Sequence, residues 1–203
     1  MIHAYNKLYL NKARSTLASL FDYAVYDCGL SLSTVWDTFR FSDIGHRFEV
    51  GDPSIVAGRS GVELAMSLFN VDKEHHPRYD KTPEYWVGWA IGYYQWYRNL
   101  HFDEISLPID VVRTLYNPYH EMDILQFCDQ MDILLDYDRT TSKLKRIRMS
   151  MGLSQSELAL LTDIPIRTIQ QYEQKQKDIN GARAEYVILL ARALDCDPID
   201  LLE

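Results

Sequence analysis

Residues 152–174 read GLSQSELALLTDIPIRTIQQYEQ, and the fold of this stretch decides what the chain is for. Ser154, followed three residues later by Glu157, has the pattern of a capping box. In that device a hydroxyl and a carboxylate satisfy the first unpaired N–H groups of a helix. Pro165 suits the start of a second helix. The stretch reads as two short helices joined by a tight turn, with polar residues placed where a helix could read base edges.

Charge argues against this at first sight. The 203 residues carry 21 Lys+Arg against 29 Asp+Glu, a formal charge of −8. Its distribution matters more. From Thr141 to Glu203, nine basic residues face nine acidic ones, which leaves the first 140 residues with 12 basic and 20 acidic. KLKRIR (143–148) and KQK (175–177) lie toward the front of this neutral tail, whereas Asp195, Asp197, Asp200 and Glu203 crowd its end. Phosphate binding follows the local field and not the total, so a neutral domain with a basic face can bind DNA.

Composition is that of a globular protein, 47% apolar and 25% charged, long enough for one large domain or two modest ones. Cys28, Cys128 and Cys196 are scattered, with no Cys-x-x-Cys spacing, which fits a reduced cytoplasmic setting. The opening residues show no signal-peptide pattern. YWVGWAIGYY (85–94) is too short and too rich in Tyr and Trp to cross a bilayer, so no membrane role is expected.

The fold class expected is all-α, in the main. Leu17, Leu20, Phe21, Ala24, Val25 and Cys28 recur at three-and-four spacing, with Gly29 as a stop. A helix over 33–48 has Ser33 as its cap. EVGDPSIVAGRSG (49–61) is a loop punctuated by Gly and Pro, and the one place that admits a short strand pairing, FEV (48–50) with SIVAG (54–58). Ser60 and Glu63 form a second capping-box pattern. Thr82 and Pro83 open the aromatic helix 84–100, the expected centre of the amino-terminal domain. Further helices follow Pro108 and Pro118. The aromatic stripe Tyr85, Trp86, Trp89, Tyr93, Tyr94, Trp96 and Tyr97 reads equally well as core or as core plus an interface. A boundary falls in DYDRTTSK (136–143), where Thr140 and Thr141 offer cap chemistry. It separates an acidic helical interaction or sensor domain, 1–138, from a second domain, 141–203.

From Lys143 onward, five helical segments can be drawn: KLKRIRMSM, QSELALL, PIRTIQQYEQ, ARAEYVILLARAL and PIDLLE. This resembles the Cro-like phage-repressor class of helix-turn-helix domains, the XRE family, over roughly Lys143 to Glu203. GLSQSELA matches the first motif helix, RTIQQYEQ the second, and LARALDCDPIDLLE the closing helix and tail. The resemblance implies a five-helix domain in which Leu158, Ala159, Ile164 and Ile169 form the core where the motif helices cross. It also implies a buried pair between Arg148 and Glu173, and a Gln155 that points at DNA. The second motif helix would enter the major groove, exposing Ile166, Arg167, Gln170 and Gln171 to base edges. Arg can bond guanine, Gln can bond adenine, and Ile166 can pack on a thymine methyl. Lys143, Gln174, Lys175 and Lys177 would meet phosphates without reading sequence. Two departures stand out: Asp163 and Lys175 each occupy a position where the family often has Gly.

The function implied is a sequence-specific regulator on double-stranded DNA, acting as a homodimeric repressor, because one small domain reads too few bases to select a genomic site. The alternative is an antitoxin-type protein whose amino-terminal domain binds a toxin while the tail autoregulates its operon. LASLFDYAVYDCG, VAGRSGVELA and PEYWVGWAIGYYQWY loosely resemble uncharacterised bacterial proteins of antitoxin-like gene contexts. No enzyme, cofactor or metal is expected. The three glycines of 51–61 lack the ending of a phosphate loop, and His75-His76 has no third ligand at metal spacing.

Overall fold

In the computed structural model, which describes residues 3–135 and 141–203, the most extensive helix pairing is that of α1 (Lys7–Tyr26) with α6 (Pro83–Arg98). Gly88 permits it. A Cβ added at Gly88 would stand 2.7 Å from the Leu17 carbonyl oxygen and 2.9 Å from the Ala18 Cα. Gly61, at the start of α5 (Gly61–Phe69), lies against the other side of α1 in the same way, with the Thr16 oxygen 2.1 Å from its absent Cβ. Helix α1 is therefore packed between α6 and α5, and α6, the expected centre of the amino-terminal unit, is one of the two helices laid against it.

Around this pair stand α2 (Leu32–Arg40), α3 (Asp43–Glu49), α4 (Pro53–Val56), α7 (Ile109–Thr114), α8 (Tyr116–Tyr119) and α9 (Ile124–Leu134). Phe21, Trp36, Phe39, Phe48 and Phe102 are buried together, with the Phe39 and Phe102 rings 5.1 Å apart, edge to face. The aromatic stripe of α6 is mostly internal. Trp86, Tyr94 and Trp96 are buried, while Tyr85, Trp89, Tyr93 and Tyr97 are half-buried. The Arg14 guanidinium lies 3.2 Å from the centre of the Trp89 ring, a cation–π contact. Asp132 of α9 accepts hydrogen bonds from Arg98 (Nη2, 2.6 Å) and the Tyr94 hydroxyl (2.9 Å), tying α9 to α6.

Residues 70–82 form a strap pinned to the carboxyl-terminal half of α1. The Tyr23 hydroxyl donates to the Lys73 carbonyl at 2.6 Å, and Arg78 bridges Asp22 (3.1 Å) and Asp27 (2.8 Å). His75 contributes here as well, its Nδ1 2.9 Å from Asp27. This stretch is tethered by Asp22 and Tyr23 on α1 and by Asp27 at its carboxyl-terminal cap.

Two local expectations for this unit are corrected. The strand pairing near FEV and SIVAG does not form: Phe48 and Glu49 end α3, and Ser54 to Val56 lie in α4. Ser42 and Asp52 cap these helices, with Pro53 in the first helical position, so local chemistry favours helical turns there. No strand occurs among the described residues. Helix α2 is capped by Ser31 and not Ser33, its hydroxyl accepting the Thr34 N–H at 3.1 Å.

The described residues divide into two compact units, 3–135 and 141–203. The expected junction at 136–140, Thr140 included, lies outside the described residues. The cap of the next helix is Ser142, which accepts the Lys145 N–H at 3.2 Å, and not Thr141. This second unit contains α10 (Lys143–Ser150), α11 (Gln155–Thr162), α12 (Ile166–Glu173) and α13 (Ala184–Ala193), followed by a short 3-10 turn at Pro198–Leu201. Its core is Leu144, Leu158, Ile164, Ile169, Tyr172, Leu190, Leu194 and Leu201, all buried. Glu203 closes the unit. Its carboxylate accepts the Lys143 N–H at 2.8 Å and lies 3.4 Å from the Lys175 ammonium, while its backbone exchanges two hydrogen bonds with the Asn180 side chain.

Candidate nucleic-acid interface

Helix α11 begins with both halves of a capping box. The Ser154 hydroxyl accepts the Glu157 N–H at 3.2 Å, and the Glu157 carboxylate accepts the Ser154 N–H at 2.7 Å. These hydrogen bonds hold the exposed Glu157 carboxyl below the usual carboxylate range. The helix ends at Asp163, whose φ of +55° turns the chain sharply toward Pro165. Helix α12 starts one residue later, with Pro165 as its cap. Leu158, Ile164 and Ile169 are buried where α11 and α12 cross, and Ala159 is half-buried beside them.

Behind the crossing, Arg148 of α10 reaches Glu173 at the end of α12. Its Nε donates to Oε1 at 2.6 Å and its Nη2 to Oε2 at 3.0 Å. A third donor, Nη1, meets the Leu153 carbonyl at 2.5 Å. Both side chains are almost wholly buried, 9% and 1% exposed, so neither charge has water to fall back on. The hydrogen bonds to Glu173 outweigh burial and raise the Arg148 guanidinium further above its ordinary range.

The outer face of α12 is polar and open. Ile166 and Arg167 are exposed, and Gln170 and Gln171 are half-buried. Arg167, Gln170, Gln171, Gln174 and Gln176 line one open hollow. Gln176 is the member that sequence reasoning missed. Lys175 takes a φ of +52°, folding the chain back so that the Gln176 N–H donates to the Gln171 carbonyl at 2.9 Å. The signal was present, since the left-handed turn falls where the family often has Gly. The consequence for its neighbour is not visible in one dimension.

Gln155 is placed differently from Arg167. Its amide nitrogen donates to Glu173 Oε2 at 2.7 Å, and its oxygen accepts from Gln170 Nε2 at 3.3 Å. The basic residues also separate. Lys177 is exposed, its ammonium 5.5 Å from the Tyr172 ring centre, and Lys175 is exposed beside Glu203. Lys143 is buried, which sets it apart from the other three residues expected at phosphates, Gln174 among them.

Four short helices around one small core, with a crossed pair locked from behind by an arginine–glutamate bridge, define a helix-turn-helix domain. Residues 144–201 match the family model described as helix-turn-helix, a DNA-binding regulatory family and not a catalytic one, as the XRE-like resemblance of this segment implies. No curated protein and no solved structure matches the chain. Among the described residues, no helix is long and apolar enough to cross a membrane.

Proposed function

We propose that the protein is a sequence-specific transcriptional repressor that binds DNA as a homodimer, placing α12 of each copy in the major groove of one half-site. The observation that carries this reading is the hollow lined by Arg167, Gln170, Gln171, Gln174 and Gln176, on a helix whose last residue, Glu173, is locked by Arg148. Arg167 and the glutamines offer the donor and acceptor groups that the major groove can read, and Ile166 offers apolar surface to a thymine methyl. Gln174, Lys175 and Lys177 anchor to phosphates and supply affinity without selectivity. Two copies on a two-fold axis are needed because one such helix reads only three or four base pairs. The amino-terminal unit supplies the dimer contact or receives the signal.

The excess of 20 acidic over 12 basic residues in the first 140 favours a second reading for that unit, capture of a basic partner such as a toxin. The two readings share the DNA-binding tail. Fluorescence anisotropy on the DNA upstream of the protein's own gene, across a salt series, tests the first. Affinity that falls steeply with salt and is stronger than for a scrambled duplex supports it; equal affinity for both duplexes removes it. Co-purification with the product of the neighbouring gene tests the second, and no retained partner removes it.

A further inference from the structure

The expected reading surface treats Gln155 as one more side chain aimed at a base, but its hydrogen bonds point inward. Glu173 can only accept, so the Gln155 amide must meet it nitrogen-first, at 2.7 Å. That choice turns the Gln155 oxygen toward Gln170. An amide oxygen can only accept, so the Gln170 nitrogen faces back to it at 3.3 Å. The charge pair thus sets the sense of two amides in series, each of which could otherwise be reversed by rotation about one bond.

Gln170 is left with its oxygen and one N–H to offer outward, at the rim of the hollow it shares with Arg167 and Gln171. A donor beside an acceptor complements adenine, which presents N7 as acceptor and its N6 amine as donor. A freely turning glutamine could instead aim its nitrogen at the O6 and N7 acceptors of guanine. With the nitrogen held back, the Gln170 oxygen would confront the guanine O6, acceptor against acceptor.

We propose that Gln155 is a positioning residue and Gln170 a specificity-determining one. Together with the Arg148–Glu173 pair they form a relay that makes Gln170 select an A·T over a G·C pair in the major groove. The inference rests on the reading of α12 as the recognition helix, and the substrate it names is the base pair facing Gln170.

The test uses the full-length protein. A duplex library randomised over the half-site is selected first, and each single base-pair variant of the winner is then measured by fluorescence anisotropy at fixed salt. Gln170→Ala is expected to lose A-over-G discrimination at one position. Gln155→Ala is expected to lower discrimination at that same position about fivefold to tenfold, through gained affinity for G·C, with the other positions and the salt slope unchanged. Gln155→Met, which keeps length and removes the amide, should match it, with circular dichroism melting as the check on folding. The double variant Gln155→Ala/Gln170→Ala should discriminate no worse than Gln170→Ala alone. An effect of Gln155→Ala at a different base pair, a uniform loss across all sequences, or unchanged discrimination overturns the relay alone. A wild-type protein that enriches no sequence overturns the recognition-helix reading and the relay with it.

Discussion

Arg148 and Glu173 lie 25 residues apart in sequence and meet through two hydrogen bonds of 2.6 and 3.0 Å, in a site with almost no access to water. Removing one partner strands the other charge. Glu173→Ala is expected to cost about 3–5 kcal/mol of the carboxyl-terminal unit's stability. Replacing both, as Arg148→Met with Glu173→Leu, should cost far less, because an apolar pair of similar volume needs no desolvation. Amide hydrogen exchange over α10 to α12 would measure both. Equal losses for the single and double variants would contradict this account of the pair.

Arg167 and Lys177 are expected to separate in kind. Arg167→Ala should weaken binding to the preferred site by about 1–3 kcal/mol and relax the choice of base beneath it. Lys177→Ala should weaken all sequences alike and reduce the slope of log affinity against log salt by about 1. Anisotropy titrations at several salt concentrations distinguish the two.

Lys175 occupies left-handed backbone with a φ of +52°, where a side chain costs roughly 1–2 kcal/mol and Gly costs little. Lys175→Gly also gives the unfolded chain more freedom to lose, which offsets about 0.4–1 kcal/mol of the gain. The net expectation is a carboxyl-terminal unit more stable by under about 1 kcal/mol, with weaker DNA binding. A fall in its exchange protection would contradict this.

All four tryptophans, Trp36, Trp86, Trp89 and Trp96, lie in the amino-terminal unit, so their fluorescence reports its unfolding. Gly88→Ala puts a methyl group against the backbone of α1, with every near contact at 3.0 Å or less. A destabilisation of about 1–3 kcal/mol is expected, read as a lower urea midpoint of the fluorescence transition.

Asp27 titrates in the same unit. Burial pushes its carboxyl up, but hydrogen bonds from His75 and Arg78 outweigh this and hold it below the ordinary range. Its contribution is therefore present above the unfolded value, about 3.9, and is lost as pH falls through the depressed folded value. The stability gap between the wild type and Asp27→Asn, followed by fluorescence from pH 6 downward, should be wide above pH 4 and narrow below it. A gap that widens on acidification would reverse the sign of the coupling.

Where local chemistry decides an element, the sequence is readable. Ser60 with Glu63, Thr82 with Pro83 and Ser154 with Glu157 mark helix starts because cap and backbone lie within a few residues of each other. Ser33 misleads because Ser31 stands two residues away with the same chemistry, and the register depends on which turn packs. The exposed face of α12 follows from helical geometry. The inward turn of Gln155 does not, because it depends on a carboxylate 18 residues away and on rotamers chosen in three dimensions. The strap over α1 escapes sequence reasoning for a similar reason: Arg78 and His75 look solvated until Asp22 and Asp27 are placed opposite them.

The grip of Glu203 on Lys143, Lys175 and Asn180 works as a buckle, drawing the threshold of α10 and the bend beyond α12 onto a single side chain and its own backbone. The Lys175 ammonium is therefore shared between a tether inside the protein and any phosphate that approaches it. Replacing Glu203 with Gln would remove a negative charge from beside Lys175 while slackening the bend beyond α12, so the local field around Lys175 and the firmness of the domain are set against each other at that residue.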